Sequence, residues 1–328
     1  MIAEPAVHPA TSVAPVRTPS AAAGPGRVIG LDLGGTKLAA VVLDDQGRVR
    51  YRSWTEHRAT SYPAVLDVIS AAVGDCDRAA GRAVAVGVAV AGLLDRDRAR
   101  VVAALNLGFA DRPLQDDLAD RLGRPVILEN DANAAALAEH RTGAGTGARS
   151  LVLLTLGTGV GGGIVLDGEL VSGGRGAAAE LGHLPIRPDG DLCGCGGTGC
   201  LELYVSGTAL SRLTGGTLTS RDVVAAADRG DRTAVRLLAD AGRCLADGIR
   251  MLIPTLDPDV VVLGGGLAHA AATHLLQPLR ERLGAARPFP AQTAGPDVRL
   301  STCGPESGAL GAAHLATTRR VRIPAQNS

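Results

Sequence analysis

Apolar positions along this chain come mainly as short unbroken runs. Those at residues 28–33, 38–43 and 84–90 predict buried strands, the first two separated by a Gly-rich turn. Gln46-Gly47 turns the chain into a further strand at 48–54, and 126–128 adds another. Helices are expected at about 63–80, 116–122 and 131–140; the last is Ala-rich and is closed by a loop at 143–147. Strands alternating with helices indicate an α/β protein.

The pattern then repeats. The segment from Asp32 to Asp44 aligns with that from Thr155 to Asp167 at a constant offset of 123 residues. Leu33/Leu156, Gly34/Gly157, Val42/Val165, Leu43/Leu166 and Asp44/Asp167 are identical pairs. Each copy reads as a strand, a Gly-rich turn, a second strand and an Asp-containing turn. Two Gly-rich turns in register point to duplication rather than chance likeness of apolar hairpins. Two duplicated α/β domains facing one another make a cleft, a favoured place for a ligand.

Composition narrows this. At 328 residues the chain exceeds the usual size of one core, which again suggests two domains. Hydrophobic residues make up 46% but aromatics only 2%, so the cores must be built from Ala, Val, Leu and Ile. The formal net charge is zero, with 33 residues of each sign, which leaves no basic field for nucleic acid or an anionic membrane. Arg supplies nearly all the positive charge, Lys37 being the sole lysine; this reads as a compositional bias and not as a function. Residues 1–26 hold five Pro, lack the marks of a signal peptide and read as a disordered tail. The longest apolar run, 83–94, contains two Gly and falls short of the roughly 20 residues a membrane span needs. A soluble, cytoplasmic protein is expected.

Asp32-x-Gly34-Gly35-Thr36-Lys37 places backbone amides in a tight turn, an anion-binding concavity suited to phosphate, and Thr36 adds a hydroxyl. Asp32, at a strand end, is placed to hold Mg²⁺ through water. The alternative is an ordinary glycine hairpin. Gly157-Thr158-Gly159 offers an opposing clamp, and Gly264-Gly265-Gly266, after another buried strand, could let a nucleotide approach the backbone. Between these clusters lies Asn130-Asp131. Asp131 reads either as a helix N-cap or as a base that takes the proton of a substrate hydroxyl during phosphoryl transfer. Asn130 can offer an amide donor and an acceptor to vicinal hydroxyls.

The most specific local signal is His183 followed by Cys193, Cys195 and Cys200. One imidazole and three thiols in 18 residues match a closed Cys₃His zinc site. Four protein ligands leave no open position, so the zinc would be structural. Glu180 and Glu202, which bracket this segment, suit hydrogen bonding to sugar hydroxyls or, on the plainer reading, are surface charges.

At these residues the chain resembles the ROK family (repressors, open reading frames and sugar kinases), over about residues 27–318. The resemblance rests on Asp32-x-Gly-Gly-Thr36, Glu129-Asn-Asp-x-Asn133-x-Ala-Ala136, Leu156-Gly-Thr-Gly-Val-Gly-Gly-Gly163 and Glu180-x-Gly-His183 with the cysteine loop and Glu202. It implies a two-domain actin-like ATPase/hexokinase fold (ribonuclease H-like, duplicated) with an interdomain cleft, and a homodimer or homotetramer. It implies Asp131 as the base, with Asp32 and the two glycine turns handling Mg-ATP. It gives Asn106, Asn130, Glu180, His183 and Glu202 to the sugar, with His183 also a zinc ligand. The final helix, near 307–318, would return to the N-terminal domain. The domains expected are then 27–128 with 304–318, and 129–303 with the zinc loop, leaving 319–328 as a tail. Two departures from many glucokinase-like members, at Ala91–Asp95 and at Phe109, are expected near the sugar pocket.

The activity expected is ATP-dependent phosphorylation of a primary hydroxyl, glucose first, with a C7-cyclitol of the valiolone type or N-acetylmannosamine as alternatives. A sugar-sensing repressor of the family would carry a winged helix-turn-helix ahead of the first phosphate motif. The 31 residues before Asp32 are Pro/Ala-rich without helical pattern, so DNA binding is not expected. A non-catalytic binding module would have lost Asp32 or Asp131; both are present.

Overall fold

The computed structural model describes residues 26–285 and 295–318; the tails expected at 1–26 and 319–328 fall outside these but for Gly26. The chain opens on β1 (Val28–Leu33), β2 (Lys37–Leu43) and β3 (Val49–Glu56), followed by α1 (Tyr62–Ala80) and β4 (Ala85–Val90). A small hairpin sheet follows, β5 (Leu93–Leu94), β6 (Val101–Ala104) and β7 (Phe109–Arg112), with a 3₁₀ turn at Leu105–Leu107. Then come α2 (Leu114–Leu122), β8 (Val126–Asn130) and α3 (Asp131–Thr142). The second half contains β9 (Ser150–Leu156), β10 (Val160–Leu166), β11 (Glu169–Leu170), a 3₁₀ turn at Leu181–His183, α4 (Glu202–Val205), α5 (Gly207–Leu213), α6 (Ser220–Asp228) and α7 (Arg232–Leu256). It closes with β12 (Val260–Gly264), α8 (Gly265–Ala270), α9 (Ala272–Gly284), β13 (Asp297–Leu300) and α10 (Ser307–Thr318).

The repeat read from the sequence reappears as topology. One sheet runs β3-β2-β1-β4-β8 and the other β11-β10-β9-β12-β13, so corresponding strands hold the same places. The first hairpin pairs Leu33 with Leu38 across its turn and the second pairs Leu156 with Val160. In each sheet the first strand of the hairpin also pairs parallel with the strand on its other side, β1 with β4 and β9 with β12. Parallel strands deliver their C-terminal ends to one edge, where open α/β sheets bind ligands.

Each sheet has its own core on one face. Ile29, Leu31, Val86 and Val88 pack with Val65 and Ile69 of α1 and Leu118 of α2. Val152, Leu154 and Val261 pack with Leu245 and Ile249 of α7 and Leu279 of α9. Between the sheets lie α3 and α10, which pack on each other, α10 also on β1 and β4, and α3 on β10. Only small residues permit this: a Cβ on Gly311 would collide with the carbonyl of Ala134. Ala134 through Ala138 are all buried.

Candidate active site

Asp32 and Asn130 stand at the C-terminal ends of β1 and β8, and Asp131 is the first residue of α3. The N-cap of α3 is Asn130 and not Asp131. Asn130 is extended (φ −65°, ψ 147°), and its Oδ1 accepts from Ala132 N at 2.9 Å and Asn133 N at 3.1 Å. Its Nδ2 donates to Gly92 O at 3.2 Å, its second N–H faces Asp131, and the acceptor is already used. Freed of the cap, Asp131 accepts the Ala132 N–H at 2.9 Å and also interacts with the Asn130 side chain.

Neither Asp32 nor Asp131 forms an ion pair among the described residues. Burial, with the Asp131 charge adding to it, pushes the Asp32 carboxyl up to about 7. Burial raises Asp131 as well; the Ala132 N–H pulls it down and the Glu180 carboxylate pushes it up. The structure thus puts Asp131 within electrostatic reach of both Asp32 and Glu180. Asp32 lies against the first turn of α10, where a Cβ on Gly308 would strike its carboxylate. Adjacent carboxylates without a protein cation fit a bound divalent metal, which prefers oxygen ligands.

This crowding has a thermodynamic sign. A carboxyl whose folded pKa of about 7 exceeds its ordinary 3.8 adds stability fully below the ordinary value and loses it as pH rises through 7. Asp32→Asn, which carries no charge, is expected to raise the melting temperature of the ligand-free protein at pH 8. The gain should shrink as pH falls toward 4. An unchanged melting temperature at pH 8 would mean that this charge is already compensated.

The three glycine clusters are held by named contacts. In the first turn Gly34 N donates to Lys37 O at 2.9 Å. His57 is buried beneath it: Nδ1 accepts from Ala59 N at 3.3 Å, which leaves Nε2–H to donate to Gly34 O at 2.9 Å. Gly35 packs against Asn106, whose own side chain is exposed in the 3₁₀ turn. Thr36 and Lys37 are exposed and line a cavity with Glu56, His57 and Arg58. In the second turn Gly157 N donates to Gly159 O at 3.0 Å, and Gly207 N and Thr208 Oγ1 bond the carbonyls of Gly157 and Thr158 at 2.8 Å. Glu202 Oε2 accepts from Val160 N at 2.7 Å, so this carboxylate supports the second turn. Gly264 pairs with Thr155, which brings Gly264–Gly266 beside that turn. The third cluster opens α8, with Gly265 at φ +85°.

His183, Cys193, Cys195 and Cys200 converge, their ligand atoms all within 4.8 Å of one another. Cys195 and Cys200 Sγ are 3.6 Å apart, and Cys193 Sγ is 3.7 Å from His183 Nδ1. Tetrahedral zinc with Zn–S of about 2.3 Å separates thiolates by roughly 3.7–3.8 Å, whereas a disulfide needs about 2.05 Å. The spacing therefore fits a metal. The cluster is tied to the site through Glu202, two residues after Cys200.

Gly92 O touches Asn130, so the Ala91–Asp95 segment borders the site. Phe109, three residues after Asn106, is buried and packs edge-on to Tyr62 at 5.2 Å between ring centroids. Sequence reading missed Arg98 and His57 and gave no role to Glu129, which it met only as part of a motif; all three are buried beside the site.

A family profile described as ROK family matches residues 28–319. The chain is 36% identical over 321 residues to a glucokinase of Streptomyces coelicolor, a match covering 89% of this chain and 98% of that one. Among solved structures, a ROK hexokinase from Thermus thermophilus is similar with a TM-score of 0.78 at 39% identity, covering 89% of this chain and 97% of that one. A ROK family glucokinase from Streptomyces griseus, solved with glucose and AMPPNP, is similar with a TM-score of 0.75 at 36% identity, covering 89% and 99%.

Proposed function

We propose, because this chain belongs to the ROK family, that it transfers the terminal phosphoryl group of ATP to the exocyclic primary hydroxyl of a hexose, glucose first. The observation that carries this reading is the place of Asp131. It stands at the strand-end edge, unpaired, within electrostatic reach of Asp32 and Glu180. Asp131 takes the hydroxyl proton as that oxygen bonds to the γ-phosphorus and ADP leaves with the electrons of the broken P–O bond. Asp32 would hold Mg²⁺, which would neutralise the negative charge of the phosphates. Gly34, Gly35 and Thr36 face the phosphates from one side, Gly157–Gly159 from the other, and Gly264–Gly266 admits the nucleoside. Lys37, exposed beside the first turn, adds the remaining positive charge.

Asn106, Asn130, Glu180, His183 and Glu202 recognise ring hydroxyls; for Glu202, one oxygen also holds the Val160 N–H. His183, Cys193, Cys195 and Cys200 would hold a structural zinc, which would fix the loop that carries Glu180 and Glu202. We read 27–128 with 304–318 as one domain and 129–303 as the other, with the site between them, and the protein as a homodimer or homotetramer. No helix of the described residues is long and apolar enough to cross a membrane.

The test is a panel of glucose, mannose, fructose, N-acetylmannosamine and a valiolone-type cyclitol with Mg-ATP, compared by kcat/KM. Glucose should lead. A site built to bond a hydroxyl rejects analogues lacking it by about 10⁴–10⁵, because its buried polar groups are left unpaired. A cyclitol preferred a hundredfold would move the substrate and leave the kinase standing; no transfer to any polyol would remove both.

A further inference from the structure

Under the Asn130–Asp131 pair lies a buried ion pair between the motif's Glu129 and Arg98, which lies outside any motif. Glu129, fully buried as the penultimate residue of β8, receives Arg98 Nε on Oε2 at 2.5 Å. Its Oε1 accepts from Asn130 N at 3.0 Å and Asn133 Nδ2 at 3.2 Å. Glu129 therefore grips the N-cap residue of α3 through its backbone and the third residue of that helix through its side chain. Asp131 lies between the two.

Arg98 is itself unusual in three ways. It is only 5% exposed, it has φ +54° although it is not glycine, and its Nη1 and Nη2 have no protein partner. A strained backbone and unpaired buried donors in one residue need a compensating reason. The turn that bears it is built to hold it. Asp95 Oδ1 accepts from Ala99 N at 2.9 Å and Arg100 N at 3.0 Å, and Arg98 N donates to Asp95 O at 3.1 Å. The segment leading to Glu180 rests on this same turn, since a Cβ on Gly176 would come within 2.9 Å of Asp95 O.

We propose that Arg98 is a positioning residue for phosphoryl transfer, acting through Glu129 to fix Asn130 and Asp131 at the start of α3. Without the guanidinium, Glu129 loses its only charged partner among the described residues, and its carboxylate is free to turn away from the two amides it holds at the helix start. Misplacing a reacting group by about an ångström costs about 10²-fold in rate. The inference rests on the reading of Asp131 as the base, and the experiment separates the two.

The variants are Arg98→Met, Arg98→Lys, and Arg98→Met with Glu129→Gln, which leaves no lone charge buried if Arg98→Met alone fails to fold. Each is measured in the wild-type and Asp131→Asn backgrounds. The Arg98→Met/Glu129→Gln protein should fold and lose about 10²-fold in kcat, with the KM for ATP little changed. Arg98→Lys should recover part of the loss, since only one guanidinium nitrogen meets Glu129. In the Asp131→Asn background the same changes should cost almost nothing more, because the residue they position is already disabled. A purely structural role gives losses that multiply in both backgrounds; that result, or wild-type kcat in the folded double variant, overturns the proposal. Wild-type turnover by Asp131→Asn alone would instead overturn the reading of the base.

Discussion

Asp131→Asn should lower kcat by about 10²-fold or more while leaving the fold and ATP binding intact. The fold is safe because Asn130, not Asp131, caps α3, and an asparagine Oδ1 can still accept the Ala132 N–H. What disappears is the capacity to take a proton. The wild-type enzyme carries a matching signature in pH. Burial raises the Asp131 carboxyl above its ordinary 3.8, the Ala132 N–H opposes the rise and Glu180 adds to it. A base must be ionised, so kcat should fall as pH drops through that raised value, with its acid limb displaced upward from that of an ordinary aspartate. Near-normal turnover in the variant, or a rate flat down to pH 4, would remove Asp131 from the mechanism.

Loss of zinc is the second large effect expected. Metal analysis of the purified protein should find one zinc per chain. Structural zinc in small peptides contributes about 10–16 kcal/mol, so even a fraction of that holds a loop of this size. Cys195→Ser, at the exposed corner of the cluster, is expected to lower the melting temperature and to raise the KM for sugar by about tenfold or more. The two effects belong together. The same loop carries Glu180, whose charge reaches Asp131, and Glu202, whose carboxylate holds Val160 N behind the second glycine turn. ATP affinity should therefore weaken too, though less than sugar affinity. Fully active protein without bound metal would refute this account of the cluster.

Much of this was legible in the sequence because glycine and aspartate mark backbone geometry. The constant spacing from Leu33 to Leu156 located both hairpins, and the structure places the ends of β1 and β9 at those residues. The cysteine spacing located the cluster. What could not be read was burial and handedness. Aspartate at a helix start looks like a cap, and only the extended backbone at Asn130 moves the cap one residue earlier. Arg98 is one of three arginines among residues 96–100 in an Arg-rich chain, and nothing in the string shows that this one is buried. His57 acts through ring nitrogens on backbone groups, which leaves no pattern. Strand β5 is two residues long, too short for any periodicity, so the small sheet that carries the Arg98 turn went unforeseen. Helix and strand ends moved by a few residues: β3 runs to Glu56, β8 to Asn130 and α3 to Thr142, where backbone pairing outlasts the apolar run.

The claim that this chain is an ATP-dependent hexose kinase meets its most direct test in the identity of the product. Incubated with glucose and Mg-ATP, the protein should release one ADP for each glucose consumed, and phosphorus–proton NMR should place the new phosphate on the exocyclic C6 oxygen. ADP release that does not depend on sugar, or phosphate found on a ring hydroxyl, would contradict it.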